Sequence, residues 1–142
     1  MFKYVTTERH LVSTLLVYKR RDVIPILDYA VEKLASSRID DYVKKRKELF
    51  EMFPNHNHSI KLSSLGFDHD HLLNLAENAH QRNCTMLIDA EENKVHRIID
   101  AQCDSVIANA YANVYKTYQM YRKDGLEKLM DDIEAFKKCN LT

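Results

Sequence analysis

The chain has 142 residues, 45% hydrophobic and 30% charged, with 21 Lys plus Arg balancing 21 Asp plus Glu. That length suits one domain with a real core, the composition is that of an ordinary soluble protein, and zero net charge gives no footprint for a nucleic-acid binder. Two glycines and two prolines are too few for the tight turns of an all-β fold, so helices should dominate.

Cys84, Cys103 and Cys139 are odd in number and widely spaced, which gives neither a disulfide framework nor a thiolate metal site and suits a reducing compartment. No apolar run approaches the roughly 20 residues of a membrane span. The N-terminus lacks the basic region and apolar core of a secretory signal. Residues 1–10 contain an acid and little Ser or Arg, so no mitochondrial transit segment is apparent either. An intracellular, cytoplasmic protein is the expectation on these features alone.

In chain order, Thr6 or Thr7 caps a helix that Leu11, Leu15, Leu16 and Val17 carry to Lys19-Arg20-Arg21, a basic cluster suited to the helix dipole. Val23-Ile24-Pro25-Ile26-Leu27-Asp28 reads as a strand, with Pro25 tolerated at an edge. Asp40–Phe53 is a helix with Tyr42, Val43, Leu49, Phe50 and Phe53 inward and Lys44-Lys45-Arg46-Lys47 as a basic outer face, stopped by Pro54-Asn55. Ser59–Gly66 alternates and then turns, as a strand followed by a loop does. A helix over Asp68–Arg82 follows, and then the short apolar strand Met86-Leu87-Ile88, which breaks into Asp89-Ala90-Glu91-Glu92. A helix from about Asn93 to Ala110 precedes Asn113–Tyr121, rich in strand formers. Leu126, Leu129, Met130, Ile133 and Phe136 mark a final amphipathic helix. One helix followed by four strand–helix pairs predicts parallel strands joined by right-handed crossovers.

An ionisable or amide side chain sits within or at the end of several of these apolar segments: Lys61, Asp89 and Gln119, with Asp28 as a fourth. Ligands of α/β proteins lie at the carboxyl ends of the strands, so Asp89 is a site candidate as well as a candidate helix cap. On period-2 strands Lys61 shares a face with Ser63, and Asp89 with Leu87 and Glu91. A buried lone charge costs several kcal/mol, on the order of the ion desolvation penalty, so Lys61 and Asp89 on neighbouring strands are expected to pair. His56, His58, Asp68, His69, Asp70, His71 and His80 gather metal-ligand types in one region, without a spacing that fixes a coordination geometry. Dinucleotide, P-loop and serine-hydrolase motifs are absent from the sequence.

Pro25–Tyr29, His58–Gly66, Leu87–Glu91 and Thr117–Tyr121 with Lys123-Asp124, taken together in this order and spacing, resemble the proline dehydrogenase family. The resemblance implies an α/β fold, the first four strands of a distorted (β/α)8 barrel, with residues 1–142 as one partial-barrel domain. It implies a flavoprotein that uses FAD to oxidise L-proline to 1-pyrroline-5-carboxylate. Carried over by motif, Lys61 lies near flavin and substrate, Asp89 belongs to the polar network beneath them, and Gln119 hydrogen-bonds the isoalloxazine. Eukaryotic members imply a mitochondrial location.

Compared with the family pattern, the later R-G-A-Y-like strand, the tyrosine-bearing last helix and the paired arginines for the proline carboxylate have no counterpart here. Arg20-Arg21 stands in the wrong place to supply that pair. The chain is therefore expected to be truncated and inactive alone. A half barrel leaves an open sheet face and two strand edges, which implies a homo-oligomer or a complementary half-barrel chain. Lys116, where the family often has asparagine, would blunt one edge. The alternatives are a non-catalytic half-barrel module and an α/β scaffold whose His-rich segment binds metal.

Overall fold

The computed structural model describes residue 5 and residues 7–31, 35–108 and 113–139. Thr6, Ala110 and the side chains of Phe136 and Cys139, all used in the sequence reading, lie outside the described residues. The elements are α1 (Glu8–Arg20), β1 (Ile26–Asp28), α2 (Ile39–Met52), β2 (Asn57–Ile60), α3 (His69–Gln81), β3 (Thr85–Ile88), α4 (His96–Ala108), β4 (Val114–Lys116) and α5 (Gly125–Cys139). Short 3-10 turns at Ser36–Arg38, Leu62–Leu65 and Asn93–Val95 complete the order. No helix among the described residues is long and apolar enough to cross a membrane.

The four strands form one sheet in the order β1-β2-β3-β4, every pair parallel. Successive side chains on a strand point to opposite faces. One face carries His58, Ile60, Met86, Ile88 and Val114, all buried against Tyr42, Phe50, Leu72, Leu75, Ile99, Cys103 and Val106 of the helices. The other face carries the row Asp28, Ser59, Leu87 and Tyr115, aligned by the strand register. Ile26 and Tyr115 on that second face are 58% and 54% exposed. Among the described residues the helices thus cover one face only, as the outer wall of a half barrel does.

Helix ends follow local chemistry. Thr7 Oγ1 accepts the His10 N–H at 3.2 Å to cap α1, whose last turn holds Lys19 and Arg20. Asp68 caps α3 by accepting the His71 N–H at 2.9 Å. Gly66 ends the Leu62–Leu65 turn at φ 62, a left-handed conformation that costs glycine little.

Four sequence expectations change. β1 begins at Ile26, after Pro25, whose missing N–H leaves the ladder there without a donor. β2 ends at Ile60, because the chain turns at Leu62, so Lys61 and Ser63 are not neighbours on a strand face. β4 stops at Lys116 and Thr117–Tyr121 is loop, although Thr117 N–H still reaches Ile88 O at 3.2 Å. Arg46 is fully buried rather than on the basic outer face, since it lies one turn from both Tyr42 and Phe50 on the inward stripe.

Candidate active site at the carboxyl ends of the strands

The loops that leave β2, β3 and β4 are joined at Glu91. Its carboxylate Oε1 accepts the Ser63 N–H at 3.0 Å, and its carbonyl accepts the Gln119 side-chain amide, also at 3.0 Å. One residue after β3 thereby ties the turn after β2 to the loop after β4. Below this tie the sheet is extended by Asp89 N–H to Ile60 O at 2.9 Å, which sets Asp89 beside Lys61.

Asp89 is half-buried next to the open face. Burial pushes its carboxyl above the usual carboxylate range; the Ser59 hydroxyl and Lys61 favour its charge, while Asp28 and Glu91 oppose it. The Ser59 hydroxyl is buried and makes no hydrogen bond within the structure. Lys61 and Asp89 attract through space but make no ion pair, which corrects the expected contact: Lys61 sits past the end of β2, where the chain enters the Leu62–Leu65 turn. Asp89 is not the cap of the next helix either, because Glu92 occupies the position before the Asn93–Val95 turn.

A cavity of about 460 Å³ lies at this end of the sheet, lined by Glu91, Asn93, Gln119, Tyr121, Arg122 and Lys123, among others. Arg122 donates through Nε and Nη2 to both carboxylate oxygens of Asp124 at 3.0 Å and through Nη1 to Asn93. That fork is fully engaged, and it holds the Asp124 carboxyl below its usual range. A larger groove, about 570 Å³, opens at the opposite, amino end between α1 and β1 and is walled by Val12, Leu16, Val23, Ile24, Met52 and Phe53. Its lining includes His56 but none of Lys61, Asp89 and Gln119, and it lies at the end of a parallel sheet where ligands are not usually bound.

The histidines are dispersed. His58 is buried edge-on to Phe50 and bonds Phe53 O at 3.3 Å, His56 bonds Pro54 O at 2.8 Å, His69 meets Ser105 at 3.3 Å and His71 meets Asp40 at 3.6 Å. Among the described residues no three His, Cys, Asp or Glu side chains converge as metal ligands. Cys84 and Cys103 are buried free thiols, and burial pushes Cys103 up to about 12.

Lys116 is turned away from the strand edge it was expected to blunt. Its ammonium, on a side chain 4% exposed, lies 2.8 Å from Asp132, 2.9 Å from Asp104 and 3.5 Å from Asp100. As the third residue of β4 it points to the helix-covered face, where α4 and α5 supply the acids.

Glu91 and Tyr118 were missed as organising residues. The sequence signal for Glu91 was its position two residues after Asp89. Tyr118, whose hydroxyl donates to Asp132 at 2.6 Å, reads in the sequence as a strand-forming aromatic within the Thr117–Tyr121 resemblance and carries no sign of that partner.

Residues 17–142 match the proline dehydrogenase family. A crystal structure of proline utilization A from Bdellovibrio bacteriovorus, inactivated by N-propargylglycine, is similar in fold, with a TM-score of 0.75 at 16% sequence identity. The similarity covers 89% of this chain and 17% of that one. No curated protein matches the sequence.

Proposed function

The chain belongs to the proline dehydrogenase family, and on that premise we propose that residues 1–142 form one partial-barrel domain that binds FAD at the carboxyl ends of its strands. The supporting observation is the convergence of three loops on Glu91, which brings Lys61, Asp89 and Gln119 to one end of the open face. The polar groups fit a flavin ring in kind: the buried Ser59 hydroxyl makes no hydrogen bond, Lys61 makes no ion pair among the described residues, and Gln119 offers an amide. Gln119 and Lys61 would hold the ring, and Asp89 would orient Lys61 by charge. The chemistry that FAD supplies when bound is acceptance of the hydride that L-proline loses on becoming 1-pyrroline-5-carboxylate.

Proline binding is the weaker half of the site. A carboxylate is best gripped by a forked arginine, and Arg122 is already forked to Asp124. Proline oxidation therefore needs groups from a complementary half barrel, whether a further segment or a second chain. The open face and the single-sided edges of β1 and β4 support that second reading, a module without activity of its own.

The test is an ultraviolet-visible spectrum of the desalted protein after incubation with FAD, before and after anaerobic L-proline. A retained flavin band that survives proline unbleached is the expected result. Absence of retained flavin would overturn the cofactor assignment, and bleaching would overturn the need for a complementary half.

A further inference from the structure

Beyond Lys116 the strand has ended, so the position of Gln119 depends on contacts made by the loop itself. On the helix-covered side the Tyr118 hydroxyl donates to Asp132 Oδ2 at 2.6 Å, and the Lys116 ammonium donates to the same oxygen at 2.8 Å while lying 5.2 Å from the Tyr118 ring centre. Asp132 belongs to α5, and the start of that helix abuts the same loop: a Cβ on Gly125 would lie 2.6 Å from Gln119 O. The Gln119 carbonyl also accepts the Arg122 N–H at 3.0 Å. On the opposite side the Gln119 amide reaches Glu91 O.

We propose that the Tyr118–Asp132 hydrogen bond, made behind the sheet, holds Gln119 in place in front of it, so that Tyr118 and Asp132 are positioning residues for the flavin site. The proposal rests on the flavin reading for its purpose, but the positioning itself is a property of the chain alone. A phenol hydrogen-bonded to a charged carboxylate, with an ammonium on the same oxygen, is a stronger anchor than a neutral bond. Adjacent residues fixed to opposite sides leave the loop little freedom to turn the amide away.

The experiment compares the wild-type chain with Tyr118→Phe, which removes only the hydroxyl, and with Asp132→Asn. The Gln119 side-chain amide resonances are followed by nuclear magnetic resonance in the absence of flavin, and FAD affinity is measured separately. Both variants are expected to move the Gln119 amide shifts toward free-glutamine values and to leave the Met86 and Asp89 backbone amides unchanged. FAD affinity is expected to fall about tenfold, the equivalent of one charged hydrogen bond. Unmoved Gln119 resonances in both variants overturn the proposal, as does loss of folding in both, since the bond would then support the whole structure. If the wild-type chain binds no FAD, the flavin reading fails and the resonances alone decide the positioning.

Discussion

The Gln119 side-chain amide donates to the Glu91 carbonyl across 3.0 Å, joining two loops 28 residues apart in sequence. The same Glu91 holds Ser63 through its carboxylate. Substituting Glu91→Ala removes only the second of these contacts. It is expected to cost about 1 kcal/mol at most, the net value of one exposed hydrogen bond, and to release the turn after β2. Urea denaturation measures the first effect, and faster backbone amide exchange at Ser63 measures the second. Glu91→Gln keeps an acceptor and should restore most of both.

Gln119→Ala leaves the backbone bonds of its loop in place. Stability should change by about 1 kcal/mol or less, while any flavin retained by the wild-type chain should be held about tenfold more weakly. Titration of the two proteins with FAD, followed by flavin fluorescence, checks this. Equal affinities would remove Gln119 from the flavin site.

His58 gives the fold an acid-sensitive element. Burial, with the Arg46 charge beside it, lowers its pKa from 6.5 to about 4. The unfolded chain therefore binds a proton that the folded chain refuses between those values, and stability must fall as pH drops from about 6.5 toward 4. A shift of that size corresponds to about 3 kcal/mol. Asp89, raised by burial, acts in the opposite sense at the acid end. Comparing urea midpoints of the wild type and His58→Gln at pH 7 and pH 4.5 isolates the His58 contribution, because the amide does not titrate. The variant should lose less stability across that interval.

Much of this architecture was legible because it is written in local pattern. Met86-Leu87-Ile88 gave β3, and the helical spacing of Leu72, Leu75, Ala76 and Ala79 gave α3, so the parallel half barrel followed. The strand ends were harder to read. Thr117–Tyr121 has strand-forming side chains, yet β3 offers it no partner beyond Ile88 O, and sheet length is set by the neighbour. Arg46 was hidden in a basic run although it shares the 42, 46, 50 stripe. Lys116 looked like an edge charge because its acids come from α4 and α5, which no local pattern connects to it. The role of Glu91 rests on partners at sequence separation 28 in both directions, so only the fold displays it.

Arg46 separates packing from charge. Its Nη2 donates to Ser59 O at 2.8 Å and its guanidinium lies 5.7 Å from the Phe50 ring centre, while Nε and Nη1 have no partner. Burial lowers its pKa, opposed by Tyr42 and Asp28. A hydrophobe of similar length relieves the buried charge but leaves one carbonyl unpaired, and the two effects nearly cancel. Arg46→Met should therefore lie within about 1 kcal/mol of the wild type, whereas Arg46→Ala should lose about 2 to 4 kcal/mol through the cavity. Thermal or urea unfolding of the pair gives the comparison, and equal losses would show that charge rather than packing dominates.

Lys116 presents the reverse case, a buried cation whose partners outnumber it. Burial alone would lower its pKa, but the hydrogen bonds to Asp132 and Asp104 outweigh that and raise it. Its stabilising contribution is thus fully present below the ordinary lysine value and is lost only in strong alkali. The Asp132 carboxyl is resisted by burial yet held below its usual range by Lys116 and Tyr118, so its contribution is lost as pH falls through the acid range. Lys116→Met leaves Asp100, Asp104 and Asp132 with Lys128, 3.3 Å from Asp104 and 3.5 Å from Asp132, as the remaining lysine partner among the described residues, and near pH 7 it should cost about 2 kcal/mol, after allowance for the solvent exposure of the acids. In the wild type the lowered Asp132 carboxyl loses its contribution as pH falls below the usual carboxylate range, a contribution the variant already lacks, so the gap between the two should narrow there. A gap that stays constant from pH 7 down through the acid range in which Asp132 titrates would mean that the lysine stem, rather than its charge, holds α4 and α5 against β4.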